Sequence, residues 1–113
     1  MNQPLIRLGE IAVARSGDKG SSANIGVVAR TPDAYPVLVE YLTTDVVLRH
    51  FQSLGLTRVQ RFEMPNIHAI NFILHHVLNG GGSLTLRSDA QGKSLGQALL
   101  ELELPISTPR SNP

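Results

Sequence analysis

The sequence contains no cysteine and no tryptophan. The lack of cysteine excludes disulfide bonds, thiolate metal sites and cysteine nucleophiles. No apolar run approaches the ~20 residues of a membrane-spanning helix. The first residues, Met1 to Pro4, lack the basic start and the apolar stretch of a signal peptide. We therefore expect a soluble, cytoplasmic protein with no membrane partner.

Charged and aromatic residues are also scarce. Charged residues make up 17% of the chain, with ten basic and nine acidic residues. The aromatic residues are two Tyr and three Phe. A net charge of +1 is too small to attract nucleic acid or anionic lipid. The sequence also lacks the strand motif of aromatic and basic residues that binds RNA. So few charges on a small protein predict that another chain, or a second copy of itself, covers part of its surface.

The length of 113 residues indicates a single domain, because domains cluster at ~100–150 residues. Three prolines with Ser, Thr and Asn in residues 105–113 predict a flexible C-terminal tail. The domain itself is then residues 1–104.

The apolar pattern predicts four strands and several helices. Alternating apolar and small residues predict strands at 5–14 and 24–30, which pair as a hairpin with a long tip. Helical apolar spacing follows Thr31-Pro32-Asp33 and again Thr43-Thr44-Asp45. The other predicted elements are a strand at 56–64, a helix at 66–79, a strand at 83–88 and a last segment from Ser94 that begins as a helix and ends extended.

Four strands with interspersed helices in so short a chain predict an α+β fold, a two-layer sandwich. The four-stranded sheet consists of the N-terminal hairpin and two further strands, with the helices on one face. If the later strands are parallel neighbours, we expect right-handed crossings between them.

The predicted hairpin tip, residues 15–23, is rich in turn-forming and charged residues. Gly17 and Gly20 allow backbone conformations in which successive N–H groups form an anion-binding nest. Arg15 and Lys19 bring positive charge to the same place, which suits a carboxylate or phosphate ligand. An ordinary solvated turn is the alternative interpretation of the same residues.

The predicted helix at 66–79 carries the polar residues His68, Asn71 and His75 on one stripe. His68 and His75 are about 10 Å apart along such a helix, too far to share one ion, so we expect no metal site. Apolar residues surround most of the helix. This pattern favours Asn71 and His75 as hydrogen-bonded groups of the core or of an interface, and a stripe that faces a binding site is the alternative.

Gly92-Lys93-Ser94 is similar to the end of a phosphate-binding loop. That motif needs a glycine five residues before Gly92, and Arg87 stands there. We therefore expect no nucleotide and no other cofactor.

Four stretches form a spaced signature: Arg15-Ser16-Gly17-Asp18-Lys19-Gly20, Asn24-Ile25-Gly26-Val27, Asn71-Phe72 and Asp89-Ala90-Gln91-Gly92-Lys93. With this signature the sequence, over about residues 8–104, resembles the small C-terminal domain of the acyclic terpene utilisation (AtuA-like) proteins. The resemblance implies a ferredoxin-like fold. Because the hairpin comes first here, we expect a variant or permuted form of it.

In long family members this domain follows a much larger domain, so the resemblance implies a stand-alone small domain here. It also gives weight to the two polar loops that carry the signature. If both loops meet at one end of the sheet, they form one polar, ligand-binding patch. The candidate ligand-binding residues are Arg15, Ser16, Gly17, Asp18, Lys19, Gly20, Asn24, Asn71, Asp89, Gln91, Gly92 and Lys93.

Two functions are compatible with these observations. The first is a non-catalytic accessory subunit that docks on a separately encoded large AtuA-like protein. The second is a homo-oligomeric protein that binds a small carboxylate or an acyl-CoA-type anion at the polar loops, or an enzyme that acts on one. No catalytic residue is assigned for either.

Overall fold

The structure is a computed structural model that describes residues 5–19, 22–76, 87–88 and 93–105. Short 3-10 turns lie at Gln52–Leu54 and Pro65–Ile67. In chain order, the strands and helices of the described residues are β1 (Ile6–Arg7), α1 (Leu8–Ile11), β2 (Ala12–Lys19), β3 (Ser22–Ala29), α2 (Ala34–Tyr41), α3 (Thr44–His50), β4 (Arg58–Met64), β5 (Ala69–His75), β6 (Arg87–Ser88), β7 (Lys93–Ser94), α4 (Leu95–Leu99) and β8 (Glu103–Leu104).

The main sheet has four strands in the order β2-β3-β5-β4, and every neighbouring pair is antiparallel. Two small antiparallel pairs accompany it: β1 with β8, and β6 with β7. The β1–β8 pair places Ile6 opposite Leu104, so the two ends of the described chain lie side by side.

One face of the sheet carries the core. Alternation along β3 and β5 turns the same side of each strand inward, and helices α2, α3 and α4 contribute the opposite wall. The largest fully buried side chains of this single cluster are Phe72, Leu8, Ile25, Leu38, Leu42, Ile70, Leu74, Leu95, Leu99, Leu104, Val27 and Val47.

Local capping explains where the helices begin. Thr43 Oγ1 accepts a hydrogen bond from the N–H of Val46 at 3.2 Å at the start of α3. Ser94 and Gln97 form a reciprocal capping box at the start of α4. Side-chain oxygens at these positions satisfy backbone donors that have no partner within the helix. No helix within the described ranges is long and apolar enough to cross a membrane.

The architecture confirms the predicted α+β sandwich, with a four-stranded sheet made of the N-terminal hairpin β2–β3 and two further strands. The condition for right-handed crossings, parallel neighbouring strands, is not met in this sheet. Strands β3 and β4 run in the same direction, but β5 lies between them and is antiparallel to both.

The helix predicted at 66–79 is wrong for the residues described there, 66–76; residues 77–79 lie outside the described residues. Residues Pro65–Ile67 form a 3-10 turn, and Ala69–His75 form the strand β5. The sequence fits both periods, because Ile70, Phe72 and Leu74 alternate with residues that face outward. Inserted between β3 and β4, this segment pairs its backbone on both sides, so the sheet takes it as a central strand.

The long hairpin tip predicted at 15–23 is also wrong. Strand β2 continues to Lys19 and β3 begins at Ser22, with Lys19 opposite Ser22. The residues of the predicted tip that the structure describes, 15–19 and 22–23, therefore belong to strands, because each has a ladder partner on the neighbouring strand. Only residues 20 and 21 lie between the two strands.

The remaining sequence-based elements have mixed outcomes. The first predicted strand, 5–14, is divided into β1, the short helix α1 and the start of β2. The last segment is a helix followed by an extended end, as predicted. Of the strand predicted at 83–88, only Arg87 and Ser88 lie within the described residues, and the tail from residue 106 onward lies outside them.

When the consecutive helices α2 and α3 are counted as one helix, the order of the main elements from β2 to α4 is ββαββα. The ferredoxin-like order is βαββαβ. If the ends of a ferredoxin-like chain are joined and the chain is opened after its first helix, the order βαββαβ becomes ββαββα. The fold is therefore a permuted form of the ferredoxin-like arrangement, and the opening lies between α4 and β2.

Candidate functional site

The face of the main sheet opposite the helices keeps several large side chains exposed. Four apolar residues on it remain 38–47% exposed: Val13, Val28, Phe62 and Met64. Ile67, in the turn before β5, is 57% exposed. We call this surface the open face. The outward strand positions that define it are Val13, Arg15, Gly17, Asn24, Gly26, Val28, Arg58, Gln60, Phe62, Met64, Asn71, Ile73 and His75.

Large adjoining apolar groups on a surface mark a contact with a partner or a ligand. Here Val13 lies opposite Val28, and both Val28 and Met64 lie opposite Ala69, an apolar residue that is itself buried. The open face therefore has a continuous apolar row across all four strands.

The next row along the open face is polar and has a gap at its centre. Arg15 lies opposite Gly26, and Gly26 lies opposite Asn71. Neighbouring strands are ~4.8 Å apart, so the glycine separates the backbones of Arg15 and Asn71 by roughly 10 Å with no side chain between them. A Cβ at Gly26 would meet only Asn71 Oδ1, at 3.8 Å, which shows how open this position is.

A hydrogen bond fixes the amide at one side of that gap. Asn24 Nδ2 donates to Asn71 Oδ1 at 3.2 Å. In this arrangement no described acceptor binds Asn71 Nδ2. The exposed guanidinium of Arg15, on the other side of the gap, pairs with no described side chain. Both groups are hydrogen-bond donors that remain available to a ligand.

These two rows enclose a groove of about 530 Å³ on the open face. Its apolar lining includes Val13, Val28, Met64 and Ile67, and its polar lining comes from Arg15 and Asn71. Small-molecule sites have volumes of about 300–1,000 Å³ and a mostly apolar lining with a few polar groups. The groove has both properties.

Charge on the open face has one sign. Arg15 and Arg58 occupy outward positions, and no described carboxylate does so. Glu63, on the same strand as Arg58, has the opposite orientation and pairs with Arg61. An anionic group therefore meets attraction and no described repulsion at this surface.

Three of the candidate ligand-binding residues, Arg15, Asn24 and Asn71, lie together on the open face. Gly17 accompanies them, because it lies opposite Asn24. A Cβ at Gly17 would come within 3.3 Å of Asn24 Oδ1. The glycine thus leaves the room that the Asn24 side chain occupies beside it.

Ser16 lies on the other side of the sheet. Its Oγ accepts a hydrogen bond from the N–H of Gly96 at 3.0 Å, at the start of α4. Gly96 approaches β2 so closely that a Cβ there would be 3.3 Å from backbone atoms of Arg15 and Ser16. Ser16 therefore holds α4 against the sheet, away from the groove.

The other candidates are described only in part. Asp18 and Lys19 end β2, where their backbones lie opposite Ala23 and Ser22. Lys93 lies in β7, opposite Ser88. Gly20, Asp89, Gln91 and Gly92 lie outside the described residues, so the predicted meeting of the two polar loops stays a prediction.

The histidines of the segment mispredicted as a helix do not converge. His75 Nε2 lies 2.7 Å from Gln60 Oε1, and His76 Nδ1 lies 2.5 Å from Thr57 Oγ1. The His68 ring lies 5.7 Å from that of Tyr35, between ring centroids. Among the described residues, no three His, Asp or Glu side chains are grouped to hold a metal ion.

The sequence-based predictions do not include the apolar part of the groove, nor Gly26 as its floor. The available signal was alternation. Val13 and Arg15 on β2, with Gly26 and Val28 on β3, are each two residues apart, as outward positions of a strand must be. On the first strand, predicted to end at residue 14, the signal includes Arg15 only when that strand is extended into the turn-forming residues.

Comparison with known proteins gives one match. Residues 6–105 match the family model of the AtuA ferredoxin-like domain. A search of curated proteins and a search of solved structures found no match. The matched range includes every described strand and helix and the whole open face.

Proposed function

Since the chain belongs to the AtuA ferredoxin-like domain family, we propose that it is an accessory subunit that docks through its open face on a large AtuA-like protein. The single observation that carries this proposal is the continuous apolar row across the four strands. Val13, Val28 and Met64 are 38–43% exposed in this row, and Phe62 in the adjacent row is 47% exposed. On the opposite face of the same sheet, Ile25, Val27 and Phe72 are fully buried.

Burial of such a row is favourable by about 25 cal/mol for each Å² of apolar surface removed from water. Interfaces of this kind combine an apolar centre with a polar rim. Phe62 and Ile67 supply the apolar part, and Arg15 and Arg58 supply positive charge nearby. A partner surface with apolar groups and a few carboxylates would complement it.

The test is co-expression of the chain with a large AtuA-like protein, followed by affinity purification and light scattering. We expect a stable complex containing both chains. Phe62→Glu places a carboxylate beside the apolar row, two residues along β4 from Met64, and we expect it to weaken the complex at least tenfold, because an unpaired buried charge costs several kcal/mol.

Leu5→Glu is the matched control. Leu5 is 57% exposed and lies outside the main sheet, so the same change of charge there leaves the complex intact. A chain that stays alone, or that assembles only with copies of itself, contradicts the accessory role. Equal binding by wild type and Phe62→Glu contradicts the docking surface.

A further inference from the structure

The groove on the open face has a donor-rich end and an apolar remainder. At the donor-rich end, Arg15 and Asn71 lie on either side of Gly26, which has no side chain. Both offer N–H donors that no described acceptor occupies, and Asn24 holds the Asn71 amide in place at 3.2 Å. Donors on both sides of an open floor suit a small, planar acceptor group that lies between them.

The rest of the groove suits a hydrocarbon. Val13, Val28, Met64 and Ile67 line it. An aliphatic chain laid against these side chains would remove apolar surface of both partners from water. Polar groups along that chain would find no hydrogen-bond partner among these four residues.

The charge pattern selects an anion for the polar end. A guanidinium binds a carboxylate through two parallel N–H···O bonds, and such charge-assisted bonds are stronger than neutral ones. One arginine at the groove balances a single negative charge. A phosphomonoester carries roughly −1.5 to −2 charges and would need a second cation.

From these observations we propose that the groove binds an aliphatic carboxylate, with its carboxylate between Arg15 and Asn71 and its chain along Val13, Val28 and Met64. All of these groups belong to this chain, so the inference goes beyond the docking role and does not depend on it. A docked partner would cover the groove and enclose the bound chain.

The probe is octanoate, titrated into the full-length chain alone and followed by backbone amide shifts. We expect saturable shifts at Gly26, Val28 and Asn71. Octanol, which has the same chain and no charge, should bind at least about tenfold more weakly, since hydrogen bonds to charged groups are worth roughly twice those between neutral groups.

Arg15→Gln is the decisive variant. We expect it to weaken octanoate binding about tenfold or more and to leave octanol binding unchanged. Arg58→Gln is its matched control, because Arg58 lies on the same face but four residues along β4 from Phe62, the residue opposite Asn71. That distance is about 13 Å in a strand, so octanoate binding should stay at the wild-type level.

A second variant tests whether the ligand lies over Gly26, at the floor of the groove. Gly26→Val fills the gap, and we expect it to abolish binding of both compounds. If Gly26→Val does not fold, Gly26→Ala replaces it, because a Cβ meets only Asn71 Oδ1 at 3.8 Å; we expect weaker binding with an unchanged fold.

Three results would overturn the proposal: no saturable shift, equal affinity for octanoate and octanol, or equal losses with Arg15→Gln and Arg58→Gln. None of these measurements involves the partner protein. Failure of the docking role, tested by Phe62→Glu, is therefore separate from failure of the ligand site.

Discussion

Arg61 joins the helical layer to the edge strand β4. Its Nη2 donates to the carbonyl of Val39 at 2.8 Å and its Nε to the carbonyl of Leu42 at 3.1 Å. These carbonyls lie at the C-terminal end of α2, where a helix leaves acceptors unpaired. Nη1 reaches Glu63 Oε2 at 2.7 Å. One largely buried guanidinium thus satisfies two helix carbonyls and a carboxylate.

We predict that Arg61→Ala lowers the free energy of unfolding by about 2–3 kcal/mol, because it removes charge-assisted hydrogen bonds and leaves two acceptors unpaired. Urea unfolding measures the change. Glu63→Gln should cost ~0.5 kcal/mol or less, because that carboxylate is 45% exposed and exposed ion pairs contribute little. Arg58→Ala is the control for loss of an arginine on the same strand and should stay within about 0.5 kcal/mol of wild type. Equal losses at positions 58 and 61 would contradict this role.

At the level of single residues, part of the open face could be predicted. The spaced motifs of the sequence single out Arg15, Asn24 and Asn71, and the structure places these residues on neighbouring strands of one face. Their setting could not be predicted, because Gly17 and Asp18 are typical of turns and conceal the alternation of a strand. Backbone pairing with β3 overrides that local preference.

Helix α4 is short and depends on its contacts with β2. It comprises only Leu95–Leu99, too few residues to be stable alone. Ser94 caps it, and Ser16 Oγ accepts from the N–H of Gly96 at 3.0 Å. The missing side chain of Gly96 allows the helix to approach the strand backbone closely.

We predict that Gly96→Ala destabilises the protein even though alanine favours helix. The added Cβ would lie 3.3 Å from backbone atoms of Arg15 and Ser16, which can yield only if the helix moves. Overpacking costs about 1–3 kcal/mol, against a gain in helix propensity of ~1 kcal/mol. The net loss should lower Tm by about 4–8 °C per kcal/mol lost.

Gly26→Ala is the matched control for Gly96→Ala. Its Cβ would make only an ordinary contact, at 3.8 Å, so Tm should stay the same or rise slightly. Thermal unfolding followed by circular dichroism compares the two variants. A Gly96→Ala protein as stable as wild type would show that the close approach of α4 to β2 does not limit stability.

At the level of elements, the sequence misses the short helix α1 inside the predicted strand 5–14 and takes β5 for a helix. Ile67, Ile70 and Leu74 have helical spacing, while Ile70, Phe72 and Leu74 alternate. What decides between the two is the pairing partner on each side, β3 and β4, and that information is tertiary. The same β-branched isoleucines that fit a helix face also favour a central strand.

For the whole molecule, the family resemblance predicts the ferredoxin-like fold, and the hairpin at the start of the chain indicates a variant or permuted form without fixing its strand order. The pattern of strands and helices in the sequence predicts only the α+β fold class. Neither indicates that β1 and β8 pair, since two-residue strands at opposite ends of the chain carry no periodic signal. The β1–β8 pair brings the two ends of the described chain together, with Ile6 opposite Leu104 and Arg7 opposite Glu103.

The permuted order predicts that the chain tolerates new termini. If Met1 is joined to Pro113 and the chain is opened at Asn66, in the 3-10 turn before β5, the main elements follow the ferredoxin-like order βαββαβ. Residues 106–113 and 1–4 then serve as the linker between β8 and β1. Because the ends of these two strands already lie side by side, closing the loop costs little.

We expect this permutant to fold cooperatively, with amide protection in β3 and β5 and a loss of stability of no more than a few kcal/mol. A second permutant, opened between Ile70 and Asn71, divides the central strand and should not fold. Hydrogen exchange with NMR detection compares the two proteins. If both fold equally well, β5 is not the centre of the sheet. If neither folds, the β1–β8 pair does not bring the ends close enough for the ferredoxin-like order to form.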